Sequence, residues 1–167
     1  IISEMSEGKF SIVNFYERRA RRILPALFFV MAACLPFAMI LMNPIEFRQF
    51  AQSIFAVNIF ASNFFFSIKS GYFAPAVEEK PLLHTWSLAV EEQFYMFFPI
   101  FLILLWPLGR NRVFYAILIL AAFSLLLSEL GWRHKPTFSF YFTLTRAWEL
   151  LAGSLTAFLI LRNGIVK

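Results

Sequence analysis

The 167-residue sequence has no aspartate, one cysteine and two histidines. A single thiol, Cys34 in an apolar run, excludes an intramolecular disulfide and any cysteine-cluster metal site. The two imidazoles, His84 and His134, fall in no metal-ligand spacing such as His-Glu-x-x-His, so no metal is expected. Glycine-rich phosphate loops, nucleophile elbows, internal repeats and low-complexity linkers are all missing as well. Charged residues make up only 15%, and without aspartate the balance tips to +5. The cations gather beside apolar runs instead of forming a stripe interleaved with polar surface, which fits membrane orientation and argues against a nucleic-acid partner.

What the chain has in quantity is apolar surface: 60% hydrophobic residues and 19% aromatics, with 23 Phe. Soluble domains run nearer half apolar. The uncharged run 23–42 reaches the ~20 residues that span hydrocarbon, and 51–68, 93–109 and 113–128 approach that length. A fifth segment, 136–161, is long enough but carries Arg146 and Glu149. The expected fold class is all-α, a polytopic transmembrane helical bundle of about five hydrophobic segments, with the lipid bilayer as its first partner. The chain opens on Ile1, shows no signal peptide and stops without an obvious end signal, so an internal fragment of a longer protein is expected.

Residues 1–22 read as a cytoplasmic interfacial segment, 23–161 as membrane helices with short loops, and 162–167 as the start of a further loop. Ser11 can cap the interfacial helix, and Pro25 is tolerable in the opening turn of the span. Arg18, Arg19, Arg21 and Arg22 place this end in the cytoplasm by the positive-inside rule. Asn43-Pro44 is a turn on the far side, from which Glu46 begins the return. The run 51–68 then either crosses fully or bends back, and since both alternatives leave nine loop cations in the cytoplasm and five outside, charge does not decide between them. Asn58, Ser62 and Asn63 favour burial among helices or a bend. Loops are expected over 70–81, 107–112 and 131–136 from their glycines, prolines and charges.

Ionisable side chains within apolar segments make functional-site candidates, because a charge at the bilayer centre costs roughly 2.5 to 3.5 kcal/mol on insertion scales. Arg19 and Arg22 share a helix face, as Arg18 does with Arg21 or Arg22. The guanidinium fork suits phosphates, and the same cluster also serves as a topology signal beside anionic headgroups. Glu91 and Glu92 point ~100° apart on a helix, so at most one faces a shared cavity. Glu91 lies with Ser87, Leu88, Phe94 and Tyr95, two turns beyond His84. Acid/base chemistry and a structural role at a helix start both fit these carboxylates. Arg146 and Glu149 lie three apart and either neutralise each other or engage a partner across helices. Gly153 would let another backbone approach that face. His84 precedes Trp86 at a membrane edge, where capping or indole packing is the commoner role.

Three blocks in order resemble the acyltransferase-3 family of integral-membrane O-acyltransferases, typified by bacterial O-antigen and peptidoglycan O-acetyltransferases. They are Phe15-Tyr16-Glu17-Arg18-Arg19-Ala20-Arg21-Arg22-Ile23-Leu24-Pro25, the stretch from Gly71-Tyr72-Phe73 through Pro81-Leu82-Leu83-His84-Thr85-Trp86-Ser87-Leu88-Ala89-Val90-Glu91-Glu92-Gln93-Phe94-Tyr95 to Pro99, and Arg146-Ala147-Trp148-Glu149-Leu150-Leu151-Ala152-Gly153. The resemblance implies a multi-pass enzyme of the bacterial cytoplasmic membrane. Such an enzyme passes an acyl group, usually acetyl, from cytoplasmic acetyl-CoA or another acyl-CoA to a sugar hydroxyl of an envelope glycan such as lipopolysaccharide O-antigen. It assigns the family's Arg-x-x-Arg element to Arg19 and Arg22, with Arg18 beside them, on the donor side. It makes His84, Glu91 and Glu92 catalytic candidates, and Trp86, Tyr95, Arg146, Trp148 and Glu149 substrate-binding or structural ones. The family's catalytic base, a His on its first helix, has no counterpart here, so activity is expected to need the remaining helices of the full-length protein. A proton- or ion-coupled transporter-like module and a non-catalytic helical scaffold are the competing readings.

Overall fold

A computed structural model of the chain describes residues 1–69 and 80–162, and every element among them is helical. The Gly71-Tyr72-Phe73 element, most of the loop expected over 70–81 and positions 163–167 lie outside the described residues. The helices are α1 (Ile2–Ser6), α2 (Ile12–Leu41), α3 (Pro44–Asn58), α4 (Ser62–Lys69), α5 (Thr85–Leu105), α6 (Arg110–His134), α7 (Pro136–Tyr141) and α8 (Thr143–Arg162), with a 3-10 turn at Trp106–Leu108. Four stretches among the described residues are long and apolar enough to cross a membrane: Ile12–Leu41, Thr85–Leu108, Arg110–His134 and Thr143–Leu161. The hydrophobic run 51–68 is broken between α3 and α4. Likewise 136–161 is divided, because Phe142 is extended (φ −80°, ψ 129°) between α7 and α8. The chain forms two compact units, Ser11–Ala89 and a second built from Ile1–Phe10 with Val90–Lys167.

In the first unit α2 starts where its cap predicts, with the Ser11 hydroxyl accepting the Asn14 N–H at 3.4 Å. From there one helix of 30 residues continues through the expected boundary at residue 23. At 1.5 Å per residue it is about 45 Å long, more than the ~30 Å of hydrocarbon. Pro25 and Pro36 therefore lie inside it, and each removes the N–H that would bond the carbonyl four residues earlier, of Arg21 and Ala32. Asn43 then closes a capping box. Its side chain accepts from Ile45 and Glu46 N–H at 3.0 and 2.9 Å, and the Glu46 carboxylate accepts the Asn43 N–H at 3.1 Å.

The 15 residues of α3 cover about 22 Å, short of a crossing. Its last residue, Asn58, donates to the Ile54 carbonyl at 2.9 Å and lies 3.8 Å from Met31 Sδ, ten residues back from the end of α2. Phe60 then takes a left-handed conformation (φ +52°), unusual for a bulky side chain, and the chain reverses into α4. Ser62 and Asn63 are fully buried, and the Ser62 hydroxyl donates to the Thr85 carbonyl at 2.9 Å. The Lys80 ammonium donates to the Lys69 carbonyl at 3.2 Å, and both lysines share a cavity wall with Leu41 and Met42. Thus α3 descends to the level of Met31 and α4 returns to the level where α2 ends. The polar groups at 58–63 bond at the bend, a conformation tolerated at membrane depth only where protein surrounds it. Of the two alternatives for 51–68, the geometry is that of a bend.

Labelling checks this. With Cys34 replaced by Ser, cysteines at the exposed positions Ile45 and Ile68 are expected to react with a membrane-impermeant maleimide from the same side. Reaction from opposite sides would mean a full crossing.

In the second unit α6 and α8 form the principal helix pair, with α1 and α7 against them. Its core joins Ile2, Phe98, Leu102, Val113, Ile117, Ala147, Leu151 and Phe158. Gly109, at φ +98°, turns the chain between the 3-10 segment and α6, so Arg110 and Arg112 occupy the first turn of a helix rather than a loop. The loop expected from 131 likewise begins later, since α6 continues to His134. No atom lies within 4 Å of a Cβ built on Gly153, so its expected role in close backbone approach is not realised among the described residues. Among the described glycines it is Gly131 that is crowded, by a side chain: a Cβ there would meet Ser139 Oγ at 2.6 Å.

Candidate active site

The arginines of α2 stand two turns in from its capped start. Arg21 pairs with Glu17 at 2.7 Å across one turn, both side chains exposed, an arrangement worth little in water. Arg18 and Arg22 are exposed and Arg19 is half-buried, so the Arg19–Arg22 face sets a partly enclosed fork beside an exposed one. Because α2 outruns the hydrocarbon thickness, these side chains can sit at headgroup level while the apolar run 23–41 spans.

His84 closes the turn before α5 and is exposed; its carbonyl accepts the Ser87 hydroxyl at 3.1 Å. Thr85 donates to the Leu82 carbonyl at 2.6 Å, fixing that turn, and Trp86 is half-buried beside it. These belong to the Ser11–Ala89 unit, whereas Glu91 onward belongs to the other.

There, Glu91 and Glu92 lie in the second turn of α5, Glu91 exposed and Glu92 half-buried, consistent with at most one entering a protein interior. Tyr95 stacks edge-on against Phe94 at 5.6 Å. Arg146 binds Glu149 at 3.0 Å within α8 and lies 5.2 Å over the Phe140 ring, so the neutralising pair expected from their spacing is formed. Trp148 is half-buried, and its backbone N–H donates to Ser124 Oγ at 2.9 Å.

Two polar ties escaped sequence reasoning. The Thr143 hydroxyl donates to the Gln93 side-chain carbonyl, joining the residue after the two glutamates to the start of α8. Ser124, buried in α6, donates to the Leu144 carbonyl at 2.5 Å while accepting from Trp148. A lone Gln or Ser in an apolar helix carries no periodic signal naming its partner; only adjacency to Glu92 could have drawn attention to Gln93. The first tie joins the start of α5 to the start of α8, and the second joins α6 to α8 one turn further on.

Within this unit, then, two adjacent glutamates on α5, an arginine over an aromatic ring on α8 and the Gln93–Thr143 tie between those helices are the polar features of an otherwise apolar set of helices. The profile described as "Acyltransferase domain" matches residues 3–164. The chain belongs to the acyltransferase-3 family. An uncharacterized protein of Haemophilus influenzae is 36% identical over 165 residues, covering 94% of this chain and 67% of that protein. O-acetyltransferase OatA of Staphylococcus aureus is 30% identical over 154 residues, covering 90% of this chain and 25% of OatA. The chain thus spans about a quarter of that relative's length. No solved structure matches it. It is a multi-pass membrane member of that family, and all three blocks singled out in its sequence fall within the matched region.

Proposed function

We propose that the protein to which this chain belongs moves an acyl group, acetyl by preference, from a cytoplasmic acyl-CoA to a hydroxyl of an envelope glycan, lipopolysaccharide O-antigen or peptidoglycan. The bacterial cytoplasmic membrane is the site of that reaction. The observation that carries this reading is the arginine face of α2, raised on a helix longer than the bilayer core, in a chain related to an O-acetyltransferase. Arg19 and Arg22, with Arg18 at their side, match the phosphates of an acyl-CoA by charge and by fork geometry. The acceptor hydroxyl must lose a proton as it attacks the thioester carbonyl, and buried donors must stabilise the resulting oxyanion. In this reading Glu92 holds a proton or orients the group that does; its lower exposure than Glu91 and its adjacency to the Gln93 tie support the choice. Arg146, with Glu149 and Phe140 beside its fork, orients substrate oxygens, while Tyr95 and Trp148 in the same unit, and Trp86 in the other, serve substrate binding or structure.

Membranes carrying the intact protein should transfer radiolabel from acetyl-CoA to envelope glycan. Glu92→Gln is expected to lower that transfer about a hundredfold, the usual scale for a proton-handling group, with Glu91→Gln affected less. No transfer from any acyl-CoA at normal expression would reject the proposal. One observation favours transport instead: the α3–α4 bend, a broken helix of the kind transporters use around a site. Substrate-dependent flux without acyl transfer would support that reading.

A further inference from the structure

The first unit holds a cavity of about 480 Å³ at the open end of the α3–α4 hairpin, away from the arginine face. The arginines and this cavity sit at opposite ends of α2, since Arg22 and Leu41 are nineteen residues apart, about 28 Å along the axis. Its wall is apolar where Leu41, Phe50, Phe65 and Phe66 contribute. Among the described residues its rim carries two cations: Lys69, which ends α4, and Lys80, half-buried, whose ammonium lies against the Lys69 carbonyl. Burial, and then the neighbouring Lys69 charge, hold the Lys80 ammonium below the usual lysine range. Two ammonium groups brought together beside an apolar wall leave a positive field that an anion would relieve.

Local roles account for part of this. Lys69 suits the negative end of α4, and Lys80 spends one donor on the Lys69 carbonyl. Glu46 also lines the cavity and keeps its negative charge while its carboxylate accepts the Asn43 N–H, so the two lysines outnumber it by one charge among the described lining residues. Ser53 turns its hydroxyl onto the Phe50 carbonyl at 2.7 Å. An ammonium has three donors, so both lysines retain hydrogen-bonding capacity toward a ligand. The cavity is also the size of a small-ligand site.

We propose that this cavity binds a phosphate carried on a lipid chain, the phosphate held between Lys69 and Lys80 and the chain laid along Leu41, Phe50, Phe65 and Phe66. A phosphate supplies the acceptor oxygens two ammonium groups need, and the adjoining wall suits hydrocarbon but not the rest of a soluble anion. The site does not require the acyl-transfer reading.

Native mass spectrometry of the full chain in neutral detergent tests this. The probes are phosphatidylglycerol, a polyprenyl phosphate, diacylglycerol and inorganic phosphate. One bound copy of a lipid phosphate is expected, with diacylglycerol and inorganic phosphate failing to bind or compete. Lys69→Gln/Lys80→Gln should weaken retention at least about tenfold, the scale of losing charge-assisted hydrogen bonds. Lys69→Arg/Lys80→Arg should retain it. Arg48→Gln/Lys135→Gln removes the same charge outside the cavity and should leave binding unchanged. Equal losses in the two Gln pairs, unaltered binding in the lysine pair, or displacement by inorganic phosphate would each overturn the proposal. If the lysine Gln pair fails to fold, absence of binding in the folded Arg pair overturns it equally. Preference between phosphatidylglycerol and the polyprenyl phosphate identifies the source.

Discussion

Replacing Arg19 and Arg22 together by alanine in the intact protein is expected to lower acyl transfer by about a hundredfold or more, with the amount of protein in the membrane unchanged. Hydrogen bonds to charged groups contribute roughly 1.5–3 kcal/mol each, and a tenfold change corresponds to ~1.4 kcal/mol, so two lost phosphate contacts reach that range. The effect should fall mainly on the acyl-CoA concentration needed for half-maximal rate, since the arginines act on the donor rather than on the transferring carbonyl. Arg19→Lys/Arg22→Lys should recover only part of the loss, because a point charge replaces a fork. Arg21 is the internal comparison: it already pairs with Glu17 on an exposed face, and Arg21→Ala should change the rate by no more than about twofold. Equal effects at Arg21 and at the Arg19–Arg22 face would reduce the cluster to a topology signal.

Ser124→Leu is expected to give the largest loss of stability, about 3 kcal/mol. Ser124 is 5% exposed between α6 and α8, the best-packed helices of the chain. Leucine there both overfills the seam, typically 1–3 kcal/mol, and strips the bonds to the Leu144 carbonyl and Trp148 N–H. Ser124→Ala separates the two effects. Interhelical hydrogen bonds in membranes average about 0.6 kcal/mol, so alanine should cost well under half as much. Thermal unfolding in detergent measures both; a leucine variant as stable as the parent would show the seam to be open.

Long apolar runs and end signals were what the sequence made legible. The run ending near residue 42, the Ser11 cap, the Asn43-Pro44 turn and the Arg146–Glu149 pair all depend on neighbours within a few residues, and the structure has each of them. Where the outcome depended on another helix, the pattern was silent. Residues 51–68 are apolar enough for either a crossing or a bend; what decides is Ser62 reaching the Thr85 carbonyl and Asn58 ending α3 beside Met31, both long-range facts. Gly153 matched a rule about small residues, yet the crowded glycine is Gly131, because the short helix after it folds Ser139 back. Gln93 and Ser124 gave no warning, since a single polar group in a hydrophobic helix reads alike whether it meets a partner or not.

The hairpin also sets where the polar groups of the first unit lie across the membrane. Its bend stands level with Met31, only nine residues, about 13 Å, from Arg22 along α2. The polar turn of the hairpin therefore lies less than half a hydrocarbon thickness from the arginine end, so the unit concentrates its polar groups in one half of the membrane and leaves the cavity at the other end.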